Sequence, residues 1–255
     1  MFNILKQIYY FLLDILTLKK GIKVLINNFP ITLPARYYKY FPARYEEENF
    51  SFFKKKCKTN MTILDVGAHF GLYSVYMQKL SGGKVYSFEP TPTTITILKK
   101  TLELNNVKNN VEVVEAAAAG QTGKAVFFVD EFPGSVSNSL VQYGDRNVTG
   151  YQVDIIALDE FVQSKNIKVD FIKIDAEGAE LSVLKGAVNI LETQRPIIIL
   201  AMHPSAIAAR NESNLMVWNF LKDKCYQIVY QGKNISQEKF CNKQDLFDVH
   251  LIPIG

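Results

Sequence analysis

Ile63-Leu64-Asp65-Val66-Gly67-Ala68-His69-Phe70-Gly71, followed at Val85-Tyr86-Ser87-Phe88-Glu89 by a second apolar run ending in an acid, decides the fold of this 255-residue chain. Ile63 to Val66 reads as a buried strand, Gly67 and Gly71 let the backbone turn tightly against a ligand, and the amphipathic stretch Leu72 to Leu80 starts a helix there. Glu89 ends the next strand, where a carboxylate can accept two hydrogen bonds from a ribose diol. A dehydrogenase loop places G-x-G-x-x-G after the strand, whereas here an acid precedes a lone glycine pair in the order D-x-G-x-x-x-G. That order favours S-adenosylmethionine over NAD.

A third element repeats the pattern: Val169-Asp170-Phe171-Ile172-Lys173-Ile174-Asp175-Ala176-Glu177-Gly178-Ala179-Glu180 is again apolar strand, acids, glycine and helix. Acids at the carboxyl ends of several parallel strands converge on the crevice where open α/β sheets bind ligands. Strands are expected near 62–66, 84–89, 111–116, 169–175, 196–202, 226–231 and 248–254, with helices near 71–80, 92–105, 178–191 and 214–224. Lys124 to Val129 and Tyr151 to Ile156 read as an extra pair of strands, and Pro133 to Gly150 between them as a polar loop. The expected fold is α/β, with a mostly parallel seven-stranded sheet and an antiparallel C-terminal hairpin.

In Asp65-Val66-Gly67-Ala68-His69-Phe70-Gly71-Leu72-Tyr73-Ser74, Phe88-Glu89-Pro90, Asn105-Asn106, Leu158-Asp159-Glu160-Phe161, Ile172 to Glu180 and Leu184-Lys185-Gly186-Ala187, the chain resembles the FkbM-type S-adenosylmethionine-dependent methyltransferases. The similarity runs in order from about Tyr45 to His203, and the I-K-I-D-x-E-G-A-E block is its most particular part. The resemblance implies a Rossmann-like class I methyltransferase fold and a donor site drawn from Asp65, Gly67, Ala68, Gly71, Glu89, Pro90, Ala116 and Asp175. It also implies an acceptor hydroxyl on a sugar, glycan or related secondary metabolite. Two positions depart from the family's habit: His69 replaces an asparagine, and Ala201 stands where a glutamate is often found.

Composition bounds the rest. With 48% hydrophobic residues the chain can bury one substantial core, and a net charge of +4 without a dense basic tract does not point to nucleic acid. Cys57, Cys225 and Cys241 lack C-x-x-C or Cys/His spacing, so neither a metal site nor a disulfide framework is expected, and a reducing, cytoplasmic setting is. Ile8 to Leu13 is continuously apolar but far short of the roughly 20 residues that cross a bilayer. Asn3, Lys6, Gln7, Asp14 and Thr17 form one narrow polar stripe at helical spacing. The wide apolar face left over packs on the catalytic domain or a second subunit, or it contacts a membrane surface peripherally beside Lys19, Lys20 and Lys23. Phe29 to Phe53, with Pro30, Pro34 and Pro42, reads as a connector that is either an irregular cover or a lid. The domains expected are thus 1–53, helix and connector, and 54–255, catalytic.

A hydroxyl acceptor needs a base to withdraw its proton as it attacks a methyl group. The candidates at strand ends are His203, Asp175 and Glu177. A histidine of ordinary pKa, about 6.5, would be half neutral near physiological pH. Glu180 is expected to face solvent or cap a helix, His250 to be structural, and His69 to act through its backbone. Two other readings are an NAD-dependent oxidoreductase, against which the missing G-x-G-x-x-G argues, and a non-catalytic cofactor-binding scaffold, suggested by Ala201 alone.

Overall fold

A computed structural model describes residues 9, 12, 13, 15–17, 19–130 and 148–254. Past the N-terminal segment comes a hairpin, β1 (Ile22–Ile26) and β2 (Phe29–Leu33), turned by Asn27 and Asn28, both left-handed at φ of 50° and 62°. Two consecutive left-handed residues are what a tight hairpin turn demands, and asparagine tolerates them. A 3-10 turn at Ala35–Tyr37 leads to α1 (Glu47–Lys56), which begins with acids and ends in three lysines, in keeping with the helix dipole. There follow β3 (Thr62–Val66), α2 (Leu72–Ser81), β4 (Lys84–Phe88), α3 (Pro92–Leu104), β5 (Val111–Val114), β6 (Ala117–Ala119), β7 (Gly123–Asp130) and β8 (Val148–Ala157). Next come α4 (Leu158–Lys165), β9 (Phe171–Ile174), α5 (Glu180–Lys185), a π-helical turn at Ile190–Gln194, β10 (Ile197–Met202), α6 (Pro204–Ala209) and α7 (Asn214–Asp223). The chain closes with β11 (Tyr226–Tyr230), β12 (Lys233–Asn234), α8 (Gln237–Cys241) and β13 (Phe247–Pro253).

The main sheet has the order β12-β11-β13-β10-β9-β3-β4-β5. Strands β5, β4, β3, β9 and β10 are parallel, while β13 lies antiparallel between β10 and β11. The seven expected strands and their antiparallel C-terminal pair are all present, and the two-residue β12 adds an eighth strand at the edge. From β3 the chain proceeds to β4 on one side and returns through β9 on the other, so the order reverses beside β3, where open sheets bind ligands.

Side chains alternate across this sheet. Leu64, Val66, Ile172, Ile174 and Leu200 enter one core, which α4, α5 and α7 also fill. Ile63, Val85, Phe171 and Ile199 enter the other, together with Ile26, Ile31 and Leu33 of the hairpin and Phe50 and Phe53 of α1. The connector is therefore structured, and the division drawn after residue 53 falls inside α1. The expected helix over 178–191 is α5 followed by the separate π-helical turn. β7 and β8 pair antiparallel as expected, and β6 joins β8 to make a three-stranded sheet.

Tyr9, Leu12, Leu13, Ile15 and Leu16 are helical, whereas Asn3, Lys6, Gln7 and Asp14 of the expected polar stripe lie outside the described residues. So does most of the expected polar loop, at 131–147. Among the described residues no helix is long and apolar enough to cross a membrane.

Candidate active site

The loop after β3 is stitched to both neighbouring strands. Gly67 N–H and Ala68 N–H donate to the Phe88 carbonyl at 3.1 and 3.0 Å, and Asp175 N–H donates to the Val66 carbonyl at 3.0 Å. Gly67 has φ of +76°, and a Cβ there would sit 2.0 Å from the Asp175 carbonyl oxygen. Its lack of a side chain thus lets β3 and β9 close together. Beside this junction, at the carboxyl ends of β3, β4, β9 and β10, opens a cleft of about 660 Å³, well within the size range of ligand pockets.

Glu89 lies just past β4, buried in the cleft wall. Its Oε2 accepts the His69 N–H at 3.1 Å and its Oε1 the Thr91 N–H at 3.0 Å. Burial pushes its pKa up to about 6, although the two N–H groups oppose the rise. Each oxygen keeps a lone pair for a further donor. His69 adopts φ of 48° to present its N–H, stacks on Phe70, and burial lowers its pKa to about 4, so the ring is neutral.

Of the expected donor-site residues, Gly67, Ala68, Glu89, Pro90 and Asp175 line the cleft. Asp65, Gly71 and Ala116 do not. Asp65 is fully buried beneath the loop, where its Oδ2 accepts the Ser74 hydroxyl at 2.6 Å, and burial raises its pKa against the pull of Lys173. Gly71 caps α2 in a left-handed conformation and faces Leu98 of α3. Ala116 is buried, and it is the following Ala117 and Ala118 that reach the cleft.

The expected proton acceptors stand together but already paired. Asp175 Oδ2 accepts from Lys173 Nζ at 3.0 Å, and its Oδ1 lies 3.6 Å from His203 Nε2. Burial works against the charge of Asp175, yet Lys173 and His203 outweigh it and hold its pKa below the ordinary carboxylate range. His203, the N-cap of α6, presents Nδ1 to Glu180 Oε1 at 2.7 Å. Burial opposes the imidazolium, but the hydrogen bond and charge of Glu180, with Asp175 and Glu177, raise its pKa to about 9. With its pKa raised to about 9, His203 carries its proton at neutral pH, where an imidazole of ordinary pKa would be half neutral. Glu180 does not face solvent. It is completely buried, accepting the Gly178 N–H at 2.9 Å as well as His203. Glu177, left-handed at φ of 48°, also lines the cleft.

The opposite wall comes from the connector and from β13. Phe41, Arg44, Tyr45 and Glu46 of the connector, Leu246 just before β13 and Asp248 within it line it, and the sequence points to this wall only through the lid alternative for Phe29 to Phe53. Glu46 Oε2 accepts the Tyr73 hydroxyl at 2.7 Å and the Asn49 amide at 3.2 Å. His250 is buried and stacked on Phe52 with ring centroids 3.8 Å apart.

A doubly wound sheet in this strand order, with its cleft at the switch beside β3, defines the Rossmann-like methyltransferase class. The chain belongs to the family described as the methyltransferase FkbM domain, which matches residues 65–228. It is a methyltransferase of the kind that uses S-adenosylmethionine. It is 24% identical over 214 residues to the methyltransferase sdnD of Sordaria araneosa, covering 71% of this chain and 80% of that one. It is also 24% identical over 157 residues to the hexuronic acid methyltransferase AglP of Haloferax volcanii, covering 61% and 62%. The FkbM methyltransferase of Methylobacillus flagellatus shares the fold with a TM-score of 0.51 at 15% identity, over 80% of this chain. This chain spans about half the length of that structure, 51%.

Proposed function

We propose that this chain transfers a methyl group from S-adenosylmethionine to a hydroxyl of a sugar, a glycan or a related secondary metabolite. The observation that carries this reading is one cleft with two chemically different ends. At one end Glu89, already fixed by two backbone N–H groups, retains acceptor positions for the ribose hydroxyls, with Gly67, Ala68 and Pro90 beside it and Ala117, Ala118 and Phe127 as an apolar wall. At the other, Glu46, Asp175, Glu177 and Asp248 offer hydrogen-bond acceptors to a polyhydroxylated molecule.

S-adenosylmethionine, when bound, supplies an electrophilic methyl group on a sulfonium. The chain must then supply alignment, worth about 7 to 11 kcal/mol at best, and a place for the acceptor's proton. In this reading Asp175, locked by Lys173, orients the junction between the two ends, and the protonated His203 holds Asp175 and Glu180 in place. The hexuronic acid named for AglP supports a sugar acceptor, and the order D-x-G-x-x-x-G supports the methyl donor over a nicotinamide. We further place the enzyme in the cytoplasm, where the exposed Leu12, Ile15 and Leu16 of the N-terminal segment would contact a membrane surface or a second copy. Liposome flotation and light scattering separate these two.

The central test is incubation with methyl-labelled S-adenosylmethionine and a panel of methyl glycosides, neutral and uronic, read by mass spectrometry. Label on a glycoside oxygen is expected. Donor binding without transfer to any member of the panel would remove the sugar-acceptor reading.

A further inference from the structure

We propose that Asp248 of β13 is the catalytic residue that accepts the acceptor's proton, an inference that rests on the hydroxyl reading above. β13 runs antiparallel to β10, and Asp248 stands opposite Ala201 in that register, so a carboxylate lies beside a small side chain, and both line the cleft. Asp248 is built into position. Asn49, 2% exposed, donates from Nδ2 to Asp248 Oδ2 at 2.9 Å and to Glu46 Oε2 at 3.2 Å. With its amide hydrogens committed to two acids, Asn49 must accept through Oδ1, which lies 2.9 Å from His250 Nε2. Burial lowers the pKa of His250 to about 4, so it is neutral, and Nε2 must carry its single proton. The stack of His250 on Phe52 fixes that ring, and through it the amide and the carboxylate.

Three other acids of the cleft are better compensated. Glu46 Oε2 takes two donors, Asp175 holds Lys173 and His203, and Glu89 takes two N–H groups. Asp248 takes one, and among the described residues no donor meets its Oδ1. The groups facing it are Glu46 and Asn49 at the start of α1, Tyr73 of α2, and Lys173 and Asp175 on and just past β9. Burial, with the negative charges of Glu46 and Asp175, raises its pKa to about 7, against the pull of Asn49 and Lys173. A base serves best when its pKa lies near the working pH.

The step balances. The acceptor's O–H bond breaks, its proton passes to Asp248 Oδ1, the oxygen forms the new bond to the methyl carbon, and the carbon–sulfur pair stays on sulfur. Asp248 then returns the proton to water.

Two measurements test this, one of them independent of turnover. Carboxyl NMR of the ¹³C-aspartate-labelled, donor-free protein should show one resonance titrating near pH 7 that disappears in D248N. Titration of that resonance in the ordinary range near pH 4 overturns the proposal whatever the acceptor. With the glycoside panel, D248N should lose about 100-fold or more in kcat while calorimetric donor affinity stays within about threefold, because the amide is isosteric and still accepts from Asn49. The wild type should lose activity as pH falls through about 7, D248N should lack that limb, and D248E should recover part of the rate. Wild-type-like turnover in D248N overturns the assignment. Failure of the wild type to methylate any glycoside counts against the acceptor class instead, and the carboxyl titration then decides the role of Asp248.

Discussion

Glu89 carries two backbone N–H groups and a raised pKa, a combination that keeps the carboxylate poised for further donors instead of spending it on an ion pair. Glu89→Ala removes charge-assisted hydrogen bonds of about 1.5 to 3 kcal/mol, so calorimetric affinity for S-adenosylmethionine should fall about tenfold or more in a folded variant. His203 makes a different prediction. Its pKa rises from 6.5 to about 9 on folding, which corresponds to roughly 3 kcal/mol of stability, fully present below about pH 6.5 and lost as pH climbs through about 9. Thermal scans of the wild type from pH 7 to 10 should therefore show a falling midpoint, and His203→Gln should flatten that fall. An equal fall in both would show that the imidazolium is not the group responsible. Residues of this kind were unequally legible in the sequence. Glu89 and Asp175 follow apolar runs and stand out as acids at strand ends. Glu180 and Asp248 do not, because one is the first residue of a helix, where acids usually meet solvent, and the other sits inside a strand run whose partner only the tertiary register supplies.

Among the elements, the parallel strands were plain in the sequence because buried central strands read as continuous apolar runs. The first hairpin and α1 were not, because prolines and aromatics obscure any periodicity between Phe29 and Phe53, and Asn27-Asn28 is a weaker turn signal than Asn-Gly. The closeness of β3 to β9 was equally hidden, and it changes what Gly67 means. A Cβ 2.0 Å from the Asp175 carbonyl forces the strands apart at a left-handed position, so Gly67→Val should cost about 3 kcal/mol or more in urea unfolding, and donor binding should fall with it. A variant of wild-type stability would mean that the junction relaxes freely. Arg195 does a comparable job at the opposite edge. Its guanidinium donates to the carbonyls of Leu191, Lys224, Cys225 and Ile254 and packs over Tyr226, tying the π-helical turn to the ends of α7 and β13. Arg195→Ala should destabilise the fold by about 2 kcal/mol or more, and Arg195→Lys should recover little of it, since an ammonium cannot reach four carbonyls at once.

At the scale of the whole molecule, the segment preceding the catalytic motifs is part of the core that supports them. Ile26, Ile31, Leu33, Phe50 and Phe53, none more than 3% exposed, pack with Met77, Leu98 and Phe171 beneath the cleft. Asn105, at the end of α3, clamps the hairpin from outside by accepting the Thr32 N–H at 2.9 Å and donating to the Thr32 carbonyl at 2.7 Å. At about 1.5 to 3 kcal/mol for each buried side chain, the five contribute on the order of 10 kcal/mol, comparable to the entire net stability of a typical domain. Two truncations should therefore behave oppositely. A chain starting at Gly21 keeps both core clusters, Glu46 and Asn49, and should unfold cooperatively and bind S-adenosylmethionine within about threefold of the full chain. One starting at Lys54 loses the five side chains and the cleft-lining Phe41, Arg44, Tyr45 and Glu46, and should give a flat calorimetric scan and no measurable donor binding. Cooperative unfolding with normal donor affinity in the shorter chain would show that 54–255 is self-sufficient and that the hairpin and α1 merely cover it.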